Sequence, residues 1–177
     1  MKSVFLKRMA IVVIAVLTMS VAVNAQEKGD MAVGGSLVLG SGDSYSNVGI
    51  GAKFQYNVMT PLRLEGAFTY FLKKDNVSMW DLSVNAHWLF PVTPQITVYP
   101  LAGLGILGSK VSVPSIDLGP IGSFGGGSAS ESEVGFNLGG GIDFNLTDKL
   151  FLNAELKYKI GNTWDRLLLS AGVGYRF

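Results

Sequence analysis

Apolar and polar residues alternate with a period of two along most of this chain, the pattern of strands with two unlike faces. In NVGIGAKFQYNV, Val48, Ile50, Ala52, Phe54, Tyr56 and Val58 share one face. Gly49, Gly51, Lys53, Gln55 and Asn57 share the other. LRLEGAFTYFLK sets Leu62, Leu64, Gly66, Phe68, Tyr70 and Leu72 against Arg63, Glu65, Ala67, Thr69, Phe71 and Lys73. WDLSVNAHWLF sets Trp80, Leu82, Val84, Ala86, Trp88 and Phe90 against Asp81, Ser83, Asn85, His87 and Leu89. EVGFNLGGGIDFNL, LFLNAELKYKI and LLLSAGVGYRF repeat the pattern. They turn Asp143, Glu155, Lys157 and Arg176 to the polar side, and the last stretch ends on Tyr175 and Phe177. Residues 30–40 and 95–107 alternate less cleanly. Pro100 lies in the second of these, and a proline cannot donate to a strand ladder, so a bulge or local break is expected there.

The pattern therefore predicts eight strands. Their connections alternate in length. MTP, PVTPQ and TDK are short, while SGDSYS, KKDN and GNTWDR are longer. The longest is a Gly/Ser/Pro-rich segment at about 108–132, read as a loop. Tight turns at one end and long connections at the other describe an antiparallel up-and-down arrangement, with both termini at the tight-turn end. Neither an internal repeat nor a domain boundary interrupts it.

Composition narrows the class. Hydrophobic residues make up 48% of the chain and charged ones only 15%, against about 25% charged in an ordinary soluble domain. The formal charge of +1 offers nothing for nucleic acid. With no cysteine, disulfides, thiolate metal sites, a cysteine nucleophile and a lipidated N-terminal cysteine are all excluded. The first residues are different in kind. Lys2, Lys7 and Arg8 precede an uncharged apolar run from Met9 to Val23, which closes on Val23-Asn24-Ala25. That is the layout of a secretory leader cleaved after Ala25. A membrane-anchoring helix would need roughly 20 apolar residues, and this run is shorter. The expectation is a cleaved signal peptide at 1–25 and a single domain at 26–177.

Alternation alone does not say which face is outside. A soluble barrel turns its apolar face inward, and a membrane barrel turns it to lipid. Three features favour lipid. The clean strands reach the length of about ten residues that a tilted membrane strand requires. Aromatics cluster near both ends of the apolar face: Tyr56, Trp88, Phe90, Phe144, Tyr175 and Phe177 at one end, Tyr70, Trp80 and Tyr158 at the other. Such rings suit the two membrane interfaces. The polar face is rich in glycine, which weakens an exposed strand but gives room inside a narrow lumen. The predicted fold is all-β, an eight-stranded antiparallel up-and-down transmembrane β-barrel.

With its export signal, eight alternating strands, short turns, one long loop and terminal AGVGYRF, the chain resembles the small bacterial outer-membrane barrels, the OmpA barrel domain and its OmpX-like relatives. The resemblance spans about 26–177. It implies residence in the outer membrane of a Gram-negative envelope, with outer-membrane lipid as surroundings. It also implies that Tyr175 and Phe177 are the signal read by the barrel-assembly machinery. YPLAGLGI resembles a glycine-rich strand common in such barrels, with a leucine where an aromatic usually follows the proline. Nothing in the chain resembles a peptidoglycan-binding domain, so cell-wall tethering is not expected.

Lys53, Arg63, Glu65, Asp81, Asp143, Glu155, Lys157 and Arg176 are the polar-face charges, and both signs occur on neighbouring strands. Charges in a low-dielectric interior must be paired. They are read as a structural network: Lys53 meeting Glu65 or Arg63, Asp143 facing Glu155, with Lys157 and Arg176 helping to neutralise the acids. An ion or small-solute pathway is the alternative, although an eight-stranded barrel is only wide enough for its own side chains. A lipid A-modifying enzyme is a further alternative. It would need a nucleophile and a base within reach, and His87, the sole histidine, has Asp81 and Ser83 several residues away along one strand. No catalytic, cofactor or metal site is expected. The segment SVPSIDLGPIGSFGGG carries Val111, Val113, Ile116, Leu118, Ile121 and Phe124 into the long connection. They either pack over the barrel mouth or form a contact surface for an extracellular ligand. The expected role is that of a monomeric, non-enzymatic barrel serving envelope integrity or surface binding.

Overall fold

The structure is a computed structural model that describes residues 28–42, 45–74, 77–117, 123–161 and 165–177, with 45, 74, 111–117 and 123–129 as backbone only. The leader expected at 1–25 lies outside the described residues. The strands are β1 (Met31–Gly42), β2 (Tyr45–Met59), β3 (Leu62–Lys74), β4 (Val77–Trp88), β5 (Phe90–Pro91), β6 (Ile96–Asp117), β7 (Ser123–Asn145), β8 (Leu150–Ile160) and β9 (Arg166–Arg176). Each pairs antiparallel with its neighbour in sequence, and β4 and β5 both pair with β6. They form a single stave, so the barrel has eight. It closes through β1 and β9, paired from Ala32↔Arg176 to Ser41↔Leu167. Closure leaves no strand edge within the wall, the condition for spanning lipid.

Pro100 acts on its neighbour rather than on its own strand. β6 runs straight through it, with Pro100 opposite Gly140 on β7. On the other side, pairing stops at His87↔Leu101 and resumes at Phe90↔Val98. No residue is inserted, so this is not a bulge. The missing N–H opens a gap in the ladder that separates β4 from β5. A register shift does occur in β2 against β3, between Asn57 and Met59.

Two of the tight turns share one device. Thr93 Oγ1 accepts from the Gln95 and Ile96 amides at 3.2 and 3.0 Å. Thr147 Oγ1 accepts from the Lys149 and Leu150 amides at 3.3 and 2.9 Å. In each case a threonine hydroxyl satisfies amides that the ladder leaves free at the bend.

The apolar faces point outward, as alternation required. Leu37, Val84, Val134 and Phe136 are each exposed by 60% or more, an arrangement stable only against lipid. Trp80, Tyr70 and Tyr158 are exposed near the end away from the tight turns, and Trp88, Phe144, Tyr175 and Phe177 near the turns. Phe90 departs from this expectation and is buried. It lies just past the ladder gap, where the strand's alternation is interrupted and Leu89 and Phe90 are both buried.

The segment expected as a loop at 108–132 is instead mostly ladder. Pairing between β6 and β7 continues from Gly108↔Ser132 to Asp117↔Ser123. These strands are 22 and 23 residues long, against 11 to 15 for the other full staves. Gly and Ser read as flexibility in sequence, but two such strands lying antiparallel satisfy one another's backbone groups. The apolar side chains singled out between Val111 and Phe124 lie outside the described side chains.

Candidate functional site

The only enclosed polar assembly among the described residues is the barrel interior, which is built in three levels. Nearest the tight turns, Arg63 on β3 pairs with Asp143 on β7, Nη1 to Oδ2 at 2.7 Å, both fully buried. Asp143 Oδ1 accepts from Asn153 Nδ2 at 2.8 Å. Arg63 also donates from Nε to His87 Nδ1 at 3.2 Å and lies over the Tyr99 ring, 4.7 Å from its centroid. His87 stacks on Tyr99 with centroids 4.5 Å apart. Leu89 and Leu101 pack with Tyr99 beneath. A charged, delocalised guanidinium held between a carboxylate and two flat rings is well satisfied without water.

The middle level centres on Lys53. Its Nζ lies 3.2 Å from Glu155 Oε2 and 3.7 Å from Glu65 Oε2, and it donates to Asn153 Oδ1 at 3.1 Å. Glu65 also accepts from Gln55 at 2.8 Å and from Asn85 at 3.4 Å. Gln55, Glu65 and Asn85 form one cross-strand row. The row skips Gly103, and Asn137 on the next strand donates to Asn85 Oδ1 at 2.9 Å. A Cβ on Gly103 would lie 2.7 Å from Asn85 Cα, so the reach across depends on glycine. Tyr99 uses the same device. It sits beside Gly141, where a Cβ would meet its ring at 2.6 Å, and it donates across to Glu155 Oε2 at 3.3 Å.

The outer level is mainly apolar. Val38, Phe71, Met79, Leu107 and Leu168 form a buried layer across the lumen. Asp81 pairs with Lys159. Arg166 lies over the Phe71 ring at 4.9 Å and contacts Asn47 and Met79.

The charges named from sequence all lie on strands whose polar face turns inward, but several partners differ from expectation. Lys53 meets Glu65, and Glu155 as well. Asp143 stands opposite Asn153 rather than Glu155, which sits opposite Gly141. Lys157 is 4.0 Å from Glu155 and 3.4 Å from Ser83 Oγ. Arg176 donates to Asn145 Oδ1 at 2.9 Å and lies over Phe151 at 4.3 Å, not on an acid. Alternation places Gln55, Asn85, Asn137, Asn153 and Lys159 on the polar face, but the lumen charges named from sequence omit Lys159, and the amides are given no partners there; Arg166 and Tyr99, on the same inward faces, are not singled out.

Glu65, His87 and Glu155 could in principle hold a metal, with ligand atoms within 4.8 Å of one another. The Lys53 ammonium already occupies the space beside both carboxylates. Adding a dication beside Lys53, Arg63 and Lys157 would leave uncompensated buried charge. His87 Nδ1 is taken by Arg63, which places the ring proton on Nε2. That nitrogen has no hydrogen-bond partner, and Glu65 Oε1 is 3.8 Å away. Ser83, the nearest hydroxyl in sequence, is contacted by Lys157 instead.

Comparison with known proteins agrees with this architecture. The family described as outer membrane protein beta-barrel domain matches residues 10–177. Among solved structures, the attachment invasion locus protein Ail of Yersinia pestis is 22% identical, with a TM-score of 0.60 over 85% of this chain and 99% of that one. The N-terminal barrel of Pseudomonas aeruginosa OprF is 17% identical, with a TM-score of 0.61 over 86% and 100%. Neisserial surface protein A is 19% identical, with a TM-score of 0.60 over 84% and 96%. Curated protein sequences give no match. At these identities the structural likeness speaks to fold alone. The family match covers nearly the whole chain, its alternating strands close into eight staves with their apolar faces outward, and the chain therefore belongs to the outer membrane protein beta-barrel family and resides in the cell outer membrane.

Proposed function

We propose that this protein is a non-enzymatic outer-membrane barrel whose charged lumen serves as its folded core and whose activity lies on its outer surface, in the β6–β7 hairpin. The observation that carries the reading is the hairpin's reach. The neighbouring pairs end at Val77↔Val111 and Phe136↔Ile160, while β6 and β7 stay paired to Asp117↔Ser123. Short turns face the periplasm in such barrels and long connections face outward, so the hairpin projects from the cell. A paired, elevated segment is a presentation surface on a rigid scaffold. The lumen supports the same reading, because most of its charged groups are paired with one another and the only histidine has its basic nitrogen occupied.

In this proposal the leader 1–25 is cleaved on export, Tyr175 and Phe177 guide assembly, and the barrel works as a monomer. Replacing residues 112–128 by a short turn should leave the barrel folded, judged by a mobility change on boiling. Cells carrying the variant should retain detergent resistance but adhere less to solid and cell surfaces. If attachment is unchanged while detergent resistance falls, the role is envelope integrity and the hairpin is not the working part. His87→Ala should leave lipid A chemistry unchanged by mass spectrometry. A lost acyl modification with a folded barrel would make the protein an enzyme.

A further inference from the structure

We infer that a file of water enters the lumen from the tight-turn end, climbs the β1–β2–β9 wall past Lys53, and stops beneath the apolar layer around Phe71. Three small spaces mark the route, each with room for about one water. The lowest is bordered by Gln55, Asn57, Arg63 and Arg176 at the barrel mouth. The next is bordered by Gln55, Lys53, Asn153 and Ser36. The highest is bordered by Ser36, Lys53, Thr69, Glu155 and Ser170, with Val38 and Leu168 also lining it. Adjacent spaces share residues, Gln55 below and Ser36 and Lys53 above, so they lie end to end.

A second observation points to the same occupant. Gln55 Oε1 and Ser36 Oγ are buried and without any hydrogen-bond partner. Each lines two successive spaces. Buried polar atoms are almost always satisfied, and where protein does not do so, water does. The wall carries no side chain at Gly34 and Gly172 beside the middle space, while the Phe151 ring covers Gly174.

The file ends at the layer of Val38, Phe71, Met79, Leu107 and Leu168. Phe71 is fully buried and fills the volume left by Gly49, whose Cβ would lie 2.9 Å from the Phe71 ring. The side chains of this layer give water no polar partner, and the polar groups at the same level, the Asp81–Lys159 pair and Arg166 with Asn47, are engaged with one another, so the lumen is a blind vestibule rather than a channel. The barrier to ions is therefore apolar and local, and the charge network below it is already wet.

Two measurements on the full-length mature chain test this. In lipid nanodiscs, NMR cross-peaks from water should appear at Ser36 and at the Gln55 side-chain amide, and be absent at Phe71 and Leu107. Dry Ser36 and Gln55 would overturn the file. In planar bilayers the native protein should give no current steps, while Phe71→Ser should give discrete steps in potassium chloride. Leu107→Ser serves the same purpose if Phe71→Ser does not fold, as judged by its mobility change on boiling. Steps from the native protein, or silence from a folded variant, would place the barrier elsewhere.

Discussion

Arg63 shows what holds the interior together. Its guanidinium is fully buried against Asp143, 2.7 Å away, and flanked by His87 and Tyr99. Removing one member of a buried pair strands the other charge, at a cost of about 3–5 kcal/mol, whereas replacing both with apolar groups is often close to neutral. Arg63→Met should therefore destabilise the barrel by roughly that amount in reversible urea unfolding from lipid vesicles, and Arg63→Met with Asp143→Leu should recover most of the loss. Additive losses in the double variant would show that the pair is not coupled. The inward direction of Lys53, Arg63, Glu65, Asp81 and Asp143 was legible in sequence, because parity on a strand leaves only two choices. Their partners were not. Contacts across the lumen depend on how far each strand slides against the next on closure, and alternation carries no information on that slide. This is why Arg176 rests on Phe151 and Asn145 rather than on an acid.

At the scale of the strand, glycine decides which side chains can meet. Asn85 reaches Asn137 over Gly103, and Tyr99 reaches Glu155 over Gly141. A Cβ at either position would press on those groups. Gly103→Val should cost about 1–3 kcal/mol through overpacking, with lower refolding yield in detergent. A variant as stable as the native chain would mean that the Asn85–Asn137 bridge is dispensable. Composition announced a crowded lumen but not which glycine serves which neighbour. The β6–β7 hairpin was misread as a loop for a related reason. Its Gly/Ser sequence has low intrinsic preference for strand, and only its pairing with a facing strand makes it one. Pro100 was placed correctly as a disturbance, yet the effect falls on β4 and β5 because the absent donor belonged to their shared ladder.

For the molecule as a whole, the decisive feature is closure. β1 and β9, from opposite ends of the described chain, pair over their whole shared length, and the Phe177 amide donates to the Met31 carbonyl at 3.0 Å. Deleting Phe177 removes that bond and an exposed interfacial ring, and should lower the amount of barrel assembled in cells more than it lowers the stability of purified, refolded protein. Equal effects on both would make Phe177 a structural residue and not an assembly signal. The central claim is a closed barrel in the outer membrane with its apolar faces on lipid and its charges inside. Electrophoresis of outer-membrane fractions with and without boiling tests it most directly. The account predicts that the unboiled protein runs as a separate, compact band that boiling shifts to the position of the unfolded chain. A single band indifferent to boiling and recovered with the soluble periplasm would contradict it.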